Sequence, residues 1–127
     1  DGDGSLNMTI HELATCRRMN IGVKIIVINN QWLGMVRQWQ DMVYGGRHSS
    51  SYMESLPDFV KLAESYGHVG IRVNTLDELQ PAIDKAMSIT DRLVFLDILV
   101  DENEHVYPMQ IKLGAVDEMW LRKGVKA

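Results

Sequence analysis

The chain has 127 residues, 46% hydrophobic and 24% charged, with three prolines and one cysteine, an ordinary globular composition of one-domain size that is long enough to bury a core. A formal net charge of −4 points to no nucleic-acid partner. The single Cys16 excludes an intramolecular disulfide, and no apolar stretch approaches the roughly 18 residues that a membrane span needs.

No signal-peptide pattern opens the chain, and it has no initiator methionine. Asp1 to Ser5 reads D-G-D-G-S, a turn with chemistry in it, so the numbering is expected to begin inside a larger protein. Asn7 to Met19 carries Met8, Ile10, Leu13 and Ala14 at helical spacing, with Cys16 behind as a helix-face thiol. Val23 to Ile28 is a continuous β-branched run, which predicts a strand buried on both faces. Leu33 to Tyr44 has helical composition, and Gly45 to Tyr52 reads as a surface loop with the glycine hinges of a flap. Pro57 and Asp58 open a helix through Tyr66 that Gly67 ends. Gly70 to Val73 is a second strand, Thr75 to Ala86 a helix with a Thr75/Glu78 capping box, and Leu93 to Val100 a third strand. Strands alternating with helices predict an α/β fold, here a partial doubly wound parallel sheet with flanking helices. Such sheets bind ligands beyond the carboxyl ends of their strands.

Two places carry chemistry. In Gly2-Asp3-Gly4-Ser5, glycines allow close backbone approach, and the N–H groups of a following helix suit an anion. The Asp3 carboxylate would repel a phosphate unless a cation sits between them, the usual Mg²⁺ arrangement. The plainer alternative is an N-cap turn with Asp or Ser as the cap. D-G-D-G-S-L also resembles the opening of an EF-hand loop. In one register the required glutamate falls on Ile10, and in the other Leu6 takes the glycine position, so neither register matches the loop. The second place is Asn29-Asn30, a pair of amides at the end of the first strand, where Asn30 offers a neutral oxygen to a hard cation. Between Gly4 and Asn29 lie twenty-four residues, one helix and one strand, a crossover that can return the chain beside its start.

Gly-Asp-Gly, two dozen residues, then Asn-Asn resembles the thiamine-diphosphate-binding motif. The segment N-N-Q-W-L-G-M-V-R-Q-W-Q from Asn29 to Gln40 narrows this to a resemblance to the large catalytic subunit of acetolactate synthase (acetohydroxyacid synthase), as do Pro57-Asp58-Phe59, Leu62-Ala63-Glu64, Tyr66-Gly67 and H-V-Y-P-M-Q from His105 to Gln110. It runs from Gly2 to about Trp120, and D-E-M-W-L from Asp117 to Leu121 is similar to bacterial members. Leu6 stands where many relatives have Phe, which bears on packing of the first helix and not on the metal site.

The resemblance implies that Asp3, Asn30 and the main-chain carbonyl of Trp32 bind Mg²⁺, which holds the diphosphate of thiamine diphosphate. It implies cofactor contacts at Gly2, Asp3, Gly4, Ser5, Asn30, Trp32, Leu33, Gly34 and Met35. Met35 and Trp39 would line the pocket for the second 2-ketoacid, with Met42 as core. The rival reading makes Met35, Trp39 and Met42 one buried helical stripe. Arg37 and Arg47 read as solvated, and His11, His48, His68 and His105, which lack metal-ligand spacing, as structural or exposed. The implied activity is decarboxylation of pyruvate and its condensation with pyruvate or 2-ketobutyrate, in branched-chain amino-acid synthesis in the bacterial cytoplasm. Residues 1–106 would be the C-terminal part of the diphosphate domain and 107–127 an arm closing over the channel. The activating glutamate and the FAD-binding domain of the family would lie outside this chain, leaving it inactive alone. A homo-oligomer of catalytic subunits and a regulatory small subunit are the implied partners. Three alternatives stay open: a sister thiamine-diphosphate enzyme (a pyruvate oxidase or decarboxylase), a non-catalytic module that binds a metal–diphosphate or an interaction fragment, and calcium binding.

Overall fold

A computed structural model describes residues 1–110, 119–122 and 124–126. In chain order the elements are α1 (Asp3–Asn7), α2 (Glu12–Met19), β1 (Lys24–Asn29), α3 (Gly34–Val43), α4 (Phe59–Ser65), β2 (Val69–Val73), α5 (Leu76–Ser88), β3 (Val94–Leu99), β4 (Trp120–Arg122) and β5 (Val125–Lys126). They fall into two compact units, one of Asp1–Gln31 with Glu54–Asp101, the other of Trp32–Met53 with Glu102–Ala127.

The first unit is the α/β sheet. Its strands run parallel in the order β1-β3-β2, with Val27 and Arg72 both in register with Asp97 of the central strand. One face packs Leu6, Leu13, Val27, Phe59, Ala63, Leu93 and Phe95, with the rings of Phe59 and Phe95 stacked at 5.7 Å. The other packs Val73, Ala82, Ala86, Val94 and Leu96 beneath α5. With both faces covered, β3 is buried from Val94 through Asp97. The expectation of burial on both faces for Val23 to Ile28 is corrected. Val27 and Asn29 are buried, but Ile26 and Ile28 are 43% and 47% exposed. The cause is position: β1 borders the three-stranded sheet, and α5 packs on β2 and β3.

Local chemistry sets the element ends. Asp58 caps α4, its Oδ1 accepting from the N–H groups of Val60 (3.1 Å) and Lys61 (3.3 Å). Gly70 lets α4 sit close on β2, because a Cβ there would lie 2.7 Å from the Val60 backbone. The capping box of α5 forms as expected, with Glu78 Oε2 accepting from the Thr75 N–H at 3.3 Å. The single helix expected over Asn7–Met19 is instead α1 and α2, joined by turns. Thr9, Glu12 and Leu13 donate to carbonyls three residues back, and the Thr9 hydroxyl also reaches the Leu6 carbonyl at 3.4 Å. Asn7 and Thr9 are weak helix formers whose side chains compete for backbone groups, so the ladder breaks there. Leu6 and Leu13 still reach the same core cluster.

The second unit is organised by polar side chains. The residues of α3 that are buried are Arg37 and Gln38. Gln38 pairs with the Val106 backbone, donating to its carbonyl and accepting from its N–H, both at 2.8 Å. Gln40 ties the loop after α3, donating to the Ser49 carbonyl (2.8 Å) and accepting from the Ser51 hydroxyl (2.6 Å). Leu33 N–H donates to the Ser51 carbonyl, and Trp32 bridges Tyr52. Met109 and Trp120 exchange backbone bonds at 2.8 Å, and β4 pairs antiparallel with β5. Residues 111–118, within the arm expected over 107–127, lie outside the described residues. Among the described residues no helix is long and apolar enough to cross a membrane.

Candidate functional site

The opening turn sits at the carboxyl end of β1. Ile28 N–H donates to the Asp1 carbonyl at 2.8 Å, and Gly2 forms a parallel bridge to Ile28. The first residues thus run along the edge of β1 and turn into α1 where that strand ends. Asp3 is 2% exposed. Its Oδ1 accepts from the Gly4 N–H at 3.0 Å, and its carboxylate also meets the Gln31 N–H. The two halves of the motif, Gly2-Asp3-Gly4 and Asn29-Asn30, are therefore neighbours.

Burial pushes the Asp3 carboxyl above its ordinary range; the Gly4 and Gln31 N–H groups pull it back, and the Asp97 carboxylate adds to the rise. Asp3 Oδ2 is buried with no hydrogen-bond partner. A buried anionic oxygen without a donor is costly, and a hard divalent cation, which takes carboxylate and amide oxygens, would satisfy it. A Cβ on Gly2 would meet only the Ser5 hydroxyl, at 4.0 Å. The residues fit a magnesium ion on these grounds. The capping alternative is corrected: the N-cap is Gly2, with no side-chain hydrogen bond, and Asp3 is already in the first turn. At five residues, α1 contributes local N–H dipoles more than a macrodipole.

Asn29 is buried, and Asn30 follows it half-buried. Asn29 Nδ2 donates to Asp97 Oδ1 at 2.9 Å, and its Oδ1 accepts from the Gln31 N–H at 3.2 Å. Gln31 has φ +62°, a left-handed conformation that a residue with a side chain rarely adopts. Asp97 is fully buried and accepts from Arg72 through Nε (3.1 Å) and Nη2 (2.9 Å), and Arg72 reaches Asp58 at 3.1 Å. Sequence reasoning missed Asp97 and Arg72. The signal was one acid inside V-F-L-D-I-L, since a charge in an apolar strand is buried only when paired.

The remaining residues implied by the resemblance lie in the second unit. Trp32 donates through Nε1 to Glu102 Oε2 at 2.8 Å. Leu33 precedes α3, which opens at Gly34, and Met35 and Trp39 stand exposed on that helix. The buried-stripe reading of Met35, Trp39 and Met42 is corrected: Met42 is half-buried, but the first two are on the surface while Arg37 and Gln38 turn inward. Arg37, expected to be solvated, is 8% exposed. It donates to the Glu102 carbonyl (2.6 Å) and Asn103 Oδ1 (2.9 Å) and stacks on Trp32. Arg47 is exposed, as expected. His68 is buried, its Nε2 2.9 Å from the Leu13 carbonyl oxygen, and His11 is exposed. His48 and His105 flank Asp41 at 2.6 and 2.9 Å. A hollow of ≈ 410 Å³ lies in this unit beside Arg37, Asp41 and His105. In the sheet unit a hollow of ≈ 330 Å³ is lined by Leu6, Leu13, Cys16, Ile25 and Ile26; Asp3 and Asn30 do not line it.

Residues 1–98 match the family model described as thiamine pyrophosphate enzyme, C-terminal TPP binding domain. The chain is 62% identical over 122 residues to an acetolactate synthase large subunit of Haemophilus influenzae, covering 96% of this chain and 21% of that protein. It is 56% identical over 124 residues to the acetolactate synthase isozyme 3 large subunit of Escherichia coli, covering 96% of this chain and 22% of that protein. A solved thiamine diphosphate-dependent 4-hydroxybenzoylformate decarboxylase from Rhodococcus jostii matches with a TM-score of 0.71 at 30% identity, over 79% of this chain and 19% of that one. The chain spans about a fifth of the length of these relatives.

Proposed function

The chain belongs to the thiamine pyrophosphate enzymes, as their C-terminal TPP-binding domain, and from that premise we propose that it is the diphosphate-binding part of an acetolactate synthase catalytic subunit. The observation that carries the site is the buried, unpartnered Oδ2 of Asp3 beside the Asn29-Asn30 turn. Asp3 and Asn30 supply a carboxylate and an amide oxygen to Mg²⁺, and the main-chain carbonyl of Trp32, two residues on, is the third protein ligand. Gly4 and Ser5 donate to phosphate oxygens, and Gly2, Leu33, Gly34 and Met35 contact the cofactor.

When bound, thiamine diphosphate supplies the stabilised carbanion that pyruvate decarboxylation and condensation need. The chain's own groups bind and orient it. Gly2 admits close backbone approach, Asp3 brings charge of the right sign for the cation, and Trp39 offers a flat wall to the second 2-ketoacid. The activating glutamate and the FAD site belong to parts of the full protein outside these residues. The working form is a cytoplasmic homo-oligomer, with a regulatory small subunit as a further partner. The identity to acetolactate synthase large subunits across 96% of the chain supports this reading over a sister decarboxylase or a non-catalytic module.

The test is turnover of the full-length protein with pyruvate, with and without 2-ketobutyrate, as Mg²⁺ and thiamine diphosphate are added and withdrawn. Acetolactate and 2-aceto-2-hydroxybutyrate formation that needs both additions is the expected result. Acetaldehyde or acetate as sole product would assign a sister enzyme, and no turnover with intact cofactor binding a module. The 127 residues alone are expected to form no acetolactate.

A further inference from the structure

We propose that Asp97, at the centre of the sheet, is a positioning residue for the cation site, acting through Asn29 to fix the Gln31 turn that sets Asn30 beside Asp3. The inference rests on the magnesium reading of Asp3 and Asn30.

Hydrogen-bond direction fixes how Asn29 is oriented. A carboxylate only accepts, and Asp97 divides its two oxygens between two donors. Oδ2 takes Arg72 Nε and Nη2, at 3.1 and 2.9 Å, and Oδ1 takes Asn29 Nδ2, at 2.9 Å. Asn29 must therefore turn its NH₂ toward Asp97, which leaves its oxygen facing outward along the chain. That oxygen accepts from the Gln31 N–H at 3.2 Å. The same N–H meets the Asp3 carboxylate. Asp97, Asn29, Gln31 and Asp3 thus form one directed relay from the core of the sheet to the ligand end of β1.

The backbone gives the relay something to hold. Gln31 sits at φ +62°, and a left-handed residue other than glycine persists only where its surroundings over-determine it. Asn29 and Asp97 are 7% and 0% exposed, so water does not compete for the bond between them. Arg72, paired in register with Asp97 on β2, keeps the buried charge compensated. A core ion pair between Arg72 and Asp97 would need neither Asn29 nor its orientation.

The two roles separate by a swap. In Asp97→Asn, the new amide can still accept from Arg72, but its NH₂ then confronts the NH₂ of Asn29. Flipping Asn29 relieves that clash only by turning its nitrogen onto the Gln31 N–H. In the double variant Asn29→Asp/Asp97→Asn every bond re-forms with direction reversed across the pair. The new amide accepts from Arg72 and donates to the new carboxylate, whose second oxygen accepts from Gln31.

The test is calorimetric titration of Mg²⁺ into the full-length protein at saturating thiamine diphosphate, beside hydrogen exchange at the Gln31 amide without metal. Asp97→Asn is expected to weaken Mg²⁺ binding about 10-fold or more, in line with other residues that orient metal ligands, and to deprotect Gln31. The double variant is expected to restore both. Asn29→Ala, which keeps the Arg72–Asp97 pair, reproduces the loss and serves if Asp97→Asn does not fold. Unchanged binding and protection in Asp97→Asn or in Asn29→Ala would overturn the proposal, as would a double variant no better than the single. Wild-type protein without Mg²⁺-dependent binding would overturn the metal reading, while exchange at Gln31 still judges the relay.

Discussion

Arg37 lies over the face of Trp32, its guanidinium carbon 4.0 Å from the ring centroid. The same guanidinium donates to the Glu102 carbonyl and to Asn103 Oδ1, and the Trp32 indole N–H donates to the Glu102 carboxylate. One planar cation thus ties the start of α3 to the segment from residue 102 onward. Arg37→Ala is expected to destabilise the protein by about 2–3 kcal/mol, through lost stacking and unsatisfied acceptors. Arg37→Lys keeps charge but not the fork, and should fall between. Urea unfolding followed by tryptophan emission reads both, and an unmoved midpoint in Arg37→Ala would refute the role.

Asp3 is a stability liability kept for its charge. Its carboxyl is buried, shifted upward by that burial, and short of one donor. Asp3→Asn removes the buried charge and retains an oxygen for Gly4 and Gln31. It should raise the stability of metal-free protein by about 1 kcal/mol, offset in part by an unpaired NH₂. The same substitution should abolish Mg²⁺-dependent binding of thiamine diphosphate. Thermal unfolding and calorimetry together decide it: a destabilised apo-protein, or undiminished binding, contradicts the assignment.

The sequence conveyed the parallel α/β order and the return of the chain that places the opening turn beside the end of β1, because both follow from local pattern: β-branched runs between capped helices, and a crossover of fixed length. It did not convey what depends on neighbours distant along the chain. Val23 to Ile28 has the composition of a doubly buried strand, but burial of Ile26 and Ile28 is set by where α5 packs. Arg37 looked solvated because its partners, Glu102 and Asn103, come sixty-odd residues later. Asp97 was legible only as an anomaly, since nothing in V-F-L-D-I-L announces Arg72 or Asn29.

Asp41 makes an acid-sensitive contribution. Burial raises its carboxyl, but the His48 hydrogen bond and the charges of His48, His105 and Arg37 outweigh it and leave the group below its ordinary 3.8. A depressed folded-state value means stability that is complete above about pH 3.8 and lost as pH falls through the lower folded value. Asp41→Asn should therefore cost about 1 kcal/mol in mildly acidic solution, above pH 3.8 but where His48 and His105 carry the charge that lowers Asp41. The gap between variant and wild type should close below pH 3.8. Unfolding free energies of the two proteins across that range test it; a gap that widens in acid has the wrong sign.

Gly70 is required by space and not by backbone angle. A Cβ there would lie 2.7 Å from both Cα and O of Val60, atoms of the α4 backbone that cannot rotate away. Gly70→Ala should push α4 off β2 and cost about 1–3 kcal/mol. Thermal unfolding would register this directly, and an unchanged midpoint would mean that α4 sits further from β2.

Trp39 separates a packing role from a pocket role. It is 37% exposed on α3, while Arg37 and Gln38 fill the buried face. Trp39 belongs to neither hydrophobic core cluster of the sheet, so Trp39→Leu should change stability by no more than about 0.5 kcal/mol. If the indole is the wall against which the second 2-ketoacid packs, the same substitution alters discrimination between substrates that differ by one methyl group. Such a contact is worth about 1–3 kcal/mol. In a competition between pyruvate and 2-ketobutyrate as acceptors, the product ratio of the full-length variant should shift toward 2-acetolactate by about 10-fold or more. A variant that unfolds early would return Trp39 to the core, and a stable variant with the wild-type ratio would place the specificity wall elsewhere.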